Sequence, residues 1–182
     1  MTKLVTLNLL RDALKCINEP RKWTREAFFG LIVDEETGDM EGFCYCATGA
    51  VYRANDPTKP CEYLTADRVR VDAAFKALAA AIPSSFEIGN GSTEGRVMQY
   101  NDDPDTTYTD IVVLFARAIV TLEQEVKAEE EQAFRNERLA ARASANAPWD
   151  HGIEAAMGGL VKRDRHETIV GEPQDNGSDG RH

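Results

Sequence analysis

Residues 43 to 54 read Phe-Cys-Tyr-Cys-Ala-Thr-Gly-Ala-Val-Tyr-Arg-Ala, a short apolar run made mostly of small side chains. At helical periodicity Phe43, Cys46, Ala47, Ala50, Val51 and Ala54 share one stripe. Cys44 and Thr48 flank that stripe, and Gly49 and Tyr52 lean away from it. Small residues let neighbouring backbone come close. The run is therefore expected to be a central helix from Phe43 to Ala54, with the other elements packed around it.

The flanking sequence supplies those elements. Leu7, Leu10, Leu14 and Ile17 recur at helical spacing, so a first helix is expected over Leu4–Ile17, stopped by Asn18-Glu19-Pro20. Thr24 is placed to cap a short helix that turns Ala27 and Phe28 inwards. Phe29 to Val33 reads as a strand, paired across residues 34–39 with Met40 to Gly42. After Asn55-Asp56-Pro57, a third helix is expected from Thr65 or Asp67 to about Ala81, with Val69, Ala73, Phe75, Leu78, Ala79 and Ile82 as its apolar face. Ser84 to Arg96 is rich in glycine and serine and reads as an exposed loop. Its glycine spacing fits no phosphate-binding fingerprint. Val97 to Tyr100 reads as a short apolar approach to Asn101-Asp102. Thr107-Tyr108-Thr109-Asp110 has the form of a capping box. The helix it opens carries Ile111, Leu114, Phe115, Ala118, Ile119 and Leu122 on one face.

Beyond Leu122 the character changes. Glu123 to Arg142 is charged nearly all round, with Val126, Phe134 and Leu139 its large apolar residues, and its good helix formers can pair at i,i+4. The expected architecture is a mainly α, compact four-helix domain with a small β-hairpin. It comprises an α-helical core over 1–122, a charged helical extension over 123–147 and a largely disordered tail over 148–182.

Charge narrows the partners. Of 182 residues, 21 are Lys or Arg and 31 are Asp or Glu, a formal net charge of −10. A chain this acidic is not expected to bind nucleic acid through its phosphates. No apolar run approaches the ~20 residues of a membrane span. No apolar leader with a small-residue cleavage site opens the chain. A cytoplasmic location with reduced cysteines is expected, with no membrane contact.

Candidate chemistry gathers at few positions. Cys44, at the expected start of the central helix, stands where a thiolate is stabilised. A Cys-His hydrolase would also need a base, and His151, His166 and His182 all lie in the tail. Cys44 and Cys46, with Cys61, have neither the spacing nor a fourth ligand for structural zinc, and no cofactor is expected. Asn101 and Asp102 could bind a ligand or fix a helix start through Asx turns. Trp23 reads as core or as an aromatic lid.

Together, Trp23-Thr24, Cys44-x-Cys46-Ala47-x-Gly49-Ala50-x-Tyr52-Arg53-Ala54, Tyr100-Asn101-Asp102 and the helix ending Ala118-Ile119 resemble a family of small uncharacterised bacterial and phage proteins. The likeness covers roughly residues 5 to 122 and implies a domain of unknown function. It further implies that Trp23, Cys44, Gly49, Asn101 and Asp102 meet in space, with Asn101 and Asp102 bracing the start of the central helix. The expected function is a non-enzymatic protein–protein interaction module. Its charged helix docks a basic or apolar partner surface, or self-associates. One alternative is an enzyme or small-ligand sensor with a pocket at Trp23, Cys44, Asn101 and Asp102. Another is an acidic, phage-type inhibitor of a host protein.

Overall fold

Strand and helix divide the small-residue run between them. In the computed structural model, which describes residues 2–58, 68–87, 89 and 91–145, strand β1 (Phe29–Val33) pairs antiparallel with β2 (Met40–Tyr45). Helix α2 then runs Ala47–Asn55. The expected helical start at Phe43 is thus corrected by four residues. Phe43, Cys44 and Tyr45 lie in the sheet opposite Leu31, Gly30 and Phe29, because aromatic side chains fit a pleated surface and here find cross-strand partners. Phe29, Phe43 and Tyr45 form a chain of ring contacts at 6.3 and 6.4 Å. The turn between the strands is held by Asp34, whose Oδ1 accepts from the backbone N–H of Glu36 (2.9 Å) and Thr37 (2.7 Å), and Gly38 takes the left-handed φ of 76°.

Cys46 is the hinge between strand and helix. Its backbone is extended, and its Sγ accepts from Gly49 N–H at 3.2 Å, the role serine usually takes at a helix N-cap. Its own N–H donates to Phe28 O at 3.2 Å. That carbonyl lies so close to α2 that a Cβ on Gly49 would stand 1.9 Å from it. Glycine at 49 is therefore a requirement of the close approach.

The rest of the core forms around α2, of which every residue from Ala47 to Val51 is buried. Helix α1 (Lys3–Cys16) packs against it and contributes Leu7, Leu10 and Ala13 to the core. Helix α3 (Arg68–Ala81) contributes Val71, Phe75 and Leu78, while Val69, expected on its inner face, is 65% exposed. The expected start of α3 at Thr65 or Asp67 lies outside the described residues, as do Cys61 and the tail.

Two local expectations give way. No helix follows Thr24. Pro20–Lys22 forms a single 3-10 turn, Trp23 and Thr24 continue as extended backbone, and Thr24 N–H donates to Tyr45 O at 3.2 Å. Ala27 and Phe28 are consequently exposed. The expected loop ends early: helix α4 spans Thr93–Asp102, its first turn capped by Ser92, whose Oγ accepts from Gly95 N–H at 3.1 Å. Among the described residues there are thus five α-helices where four were expected. Gly95 in the first turn and a length of ten residues hide α4 from periodicity.

Helix α5 (Tyr108–Ala145) opens on the capping box: Thr107 N–H donates to Asp110 Oδ2 (2.9 Å) and Asp110 N–H to Thr107 Oγ1 (3.3 Å). Ile111, Leu114, Phe115, Ala118 and Leu122 enter the core. Arg11 on α1 pairs with Glu123 at 2.7 Å, and Lys3 with Glu125 (2.8 Å) and Glu129 (3.0 Å). Residues to Phe134 form one compact unit; of the second, Arg135–His182, only the last part of α5 is described. No helix among the described residues is long and apolar enough to cross a membrane.

Helices α2 and α4 are tied by Tyr52, whose hydroxyl donates to Glu94 Oε1 at 2.9 Å while its ring packs on Phe75 at 5.7 Å. Burial, aided by the Glu94 carboxylate, pushes the Tyr52 hydroxyl up to about 12 from an ordinary 10.0. The protonated form is thereby favoured in the folded chain, so its stabilisation is whole below pH 10 and is lost as pH rises through 12. Denaturant titrations should show unfolding free energy falling across that window, with a shallower fall in Tyr52→Phe. Gly49→Ala should cost roughly 2–4 kcal/mol by the same measurement, while Gly42→Ala, where a Cβ meets nothing within 4 Å, should cost under about 1 kcal/mol.

Candidate functional site

The extended segment after the 3-10 turn, the start of α2 and the end of α4 converge on one side chain. Asn101, in the last turn of α4, is fully buried. Its Oδ1 accepts from Trp23 Nε1 at 2.9 Å and from Ala47 N–H at 3.0 Å. Its Nδ2 donates to Thr24 O at 3.2 Å and to Asp102 Oδ1 at 2.8 Å. A carboxamide has two donor and about two acceptor positions; all are filled from within the chain. Ala47 N–H is one of the orphan donors of a helix start, so Asn101 supplies from another helix a bond that a local cap cannot.

Asp102 extends the cluster. Its Oδ1 also accepts from Glu26 N–H at 2.9 Å, which holds Glu26 at a left-handed φ of 58°. Adopting αL costs a non-glycine residue of order 1 kcal/mol, and the bond that Glu26 N–H donates to the Asp102 carboxylate offsets it. Above Trp23, the Arg25 guanidinium stands 5.2 Å from the ring centroid and donates to Thr106 O. Tyr108 flanks the same indole at 6.3 Å.

Of the four residues singled out from sequence, Trp23, Asn101 and Asp102 lie together against the start of α2. Cys44 lies in β2 opposite Gly30, and a Cβ on residue 30 would stand 2.9 Å from its Sγ. None of the cluster's hydrogen bonds among the described residues involves it. With the helix starting at Ala47, Cys44 has no helix N-terminus beside it. The thiol that does is Cys46, buried at 5% exposure. Burial pushes it up, hydrogen bonds from the Gly49 and Thr48 backbone pull the other way, and the Asp102 charge adds to the rise. The role its geometry shows is that of a helix cap, accepting from Gly49 N–H. Its signal in the sequence was its place immediately before Ala-Thr-Gly-Ala.

A second feature has a different character. A groove of about 870 Å³ runs between α3 and α5, with the start of α1 at one end. Ala73, Ala77 and Ala80 line one wall, and Val113, Ala116 and Val120 the other. Alanines spaced i, i+4 and i+7 share a helix face, and their short side chains leave open the space that larger residues would fill. Val113 and Val120 are 38% and 50% exposed. Lys76 and Arg117 stand on the rim, and neither makes an ion pair among the described residues. The alanine spacing was visible in the sequence, where it read only as helix propensity.

Asn101→Ala should cost roughly 2–5 kcal/mol in denaturant unfolding, because Ala47 N–H would be left buried and unpaired and Trp23 Nε1 would lose its acceptor. Trp23→Phe removes one of those bonds along with part of the ring, and should cost less than Asn101→Ala in the same titration.

No curated protein and no solved structure matches the chain. Residues 1–121 match the model of a family of unknown function, DUF6197, and the chain therefore belongs to that family.

Proposed function

We propose that this domain is a non-enzymatic protein-interaction module, and that the α3–α5 groove receives an amphipathic helix. The observation that carries the reading is the groove itself: about 870 Å³, open to solvent and walled by alanine and valine. Small side chains let a partner helix lay its backbone close, and an apolar stripe at i, i+3 and i+4 finds a complementary channel. Exposed apolar surface of this kind is where soluble domains meet partners. The partner is a protein, since a net charge of −10 repels phosphate backbones and anionic lipid alike.

An enzyme or small-ligand sensor centred on Trp23, Cys44, Asn101 and Asp102 is less well supported. Asn101 has no hydrogen-bonding position left for a ligand, and Cys44 sits apart in the sheet.

A photo-activated cross-linking residue placed at Ala80 in cells that make the protein should yield a discrete adduct with a mapped protein segment. The same residue at Glu35, in the hairpin turn, should not. Absence of a protein adduct from position 80, or equal labelling from both positions, would overturn the reading.

A further inference from the structure

The outer face of α5 carries a line of exposed residues that continues past the groove. Val113, Arg117, Val120, Gln124, Glu131 and Phe134 follow one another at spacings of three, four and seven, so they lie along one side of the helix. The groove end of this line is apolar and cationic: Val113 and Val120 beside Arg117, with Lys76 on the opposite rim. Its far end is apolar and anionic: Phe134, 60% exposed, follows Glu129-Glu130-Glu131. Glu129 is paired with Lys3; Glu130 and Glu131 make no ion pair among the described residues. In a chain with ten excess negative charges, Lys76 and Arg117 place cationic charge at the edge of the apolar channel.

We infer that the groove's occupant is α5 of a second copy, and that two chains form a two-fold dimer by laying their α5 helices antiparallel across Gln124. This rests on the groove reading above and names its partner. The two ends of the line are self-complementary about that point. Seven residues to either side of Gln124 stand Arg117 and Glu131, about 21 Å apart on one helix. A two-fold axis at Gln124 brings each against the other in the second copy. Three residues further on, Phe134 comes over the Val113 end of the groove, where the alanines of α3 leave room for a ring. Glu130, one position before Glu131, carries the charge that meets Lys76. A two-fold interface repeats every contact, so each copy both gives and receives an extension. Aromatic anchors seated in pockets supply most of the affinity of such contacts, and the charge pairs fix register.

The full-length chain is measured by sedimentation equilibrium, with circular dichroism to confirm helicity. Dimers are expected. Lys76→Glu/Arg117→Glu should weaken dimerisation roughly tenfold or more, and so should Glu130→Lys/Glu131→Lys. All four positions are exposed, so the fold should survive. An equimolar mixture of the two variants should recover dimers of wild-type affinity, since both interfaces of the mixed pair are then complementary. Phe134→Gln, which changes no charge, should weaken dimerisation as well. A dimer indifferent to the swaps, or one that mixing fails to restore, would overturn the inference. A monomer at all concentrations would also overturn it. In that case an Ala80 cross-link to a different protein would leave the groove reading standing, and no cross-link at all would remove both.

Discussion

One carboxamide joins three parts of the chain that have little else in common. Asn101 binds the indole of Trp23, the carbonyl of Thr24, the first amide of α2 and the carboxylate of Asp102. Burying a polar side chain is favourable only when its partners are all present. Here they come from the extended segment, the central helix and the end of α4. The arrangement therefore specifies where those pieces sit relative to one another, which apolar packing alone would leave loosely defined. The close passage of Phe28 O over Gly49 follows from the same placement, since Cys46 N–H must reach that carbonyl while Ala47 N–H reaches Asn101.

Much of this was legible before any coordinates. The amphipathic faces of α1 and α5, the hairpin with its Asp-to-Gly turn and the Thr107–Asp110 box follow from periodicity and local chemistry, which act over a few residues. The misread parts are those where tertiary contacts override a local signal. Phe43 to Tyr45 has a helical stripe on paper, yet a neighbouring strand offers it backbone partners. Thr24 has the side chain of a cap, yet its N–H goes to Tyr45. Helix α4 is short and carries a glycine, and its Ser92 cap resembled one more loop residue. As for the candidate site, the resemblance to a family pointed to Trp23, Cys44, Gly49, Asn101 and Asp102 as neighbours, and of these Trp23, Asn101 and Asp102 are joined by hydrogen bonds. Cys44 stood in for Cys46 because the helix start was placed too early. The groove went unread because an absence of bulk leaves no motif.

Polar and apolar features occupy different parts of this domain. Asn101 is fully satisfied from within the chain, while the nearby Arg25 Nε and Thr48 Oγ1 are buried without a hydrogen-bond partner among the described residues. The apolar channel between α3 and α5 faces outwards, with charge at its edges. The hairpin shares this outward bias: Leu31, Val33, Met40 and Phe43 are all exposed on the sheet.

The bonds of Asn101 reach far along the chain, 78 residues in sequence to Trp23. Helix α2 has only nine residues, too few to persist in isolation, since nucleating a helix is costly and short ones do not recover that cost. Its first amide finds an acceptor only in Asn101, 54 residues further along the chain. The helix whose residues are most deeply buried therefore owes its order to the elements around it more than to its own sequence.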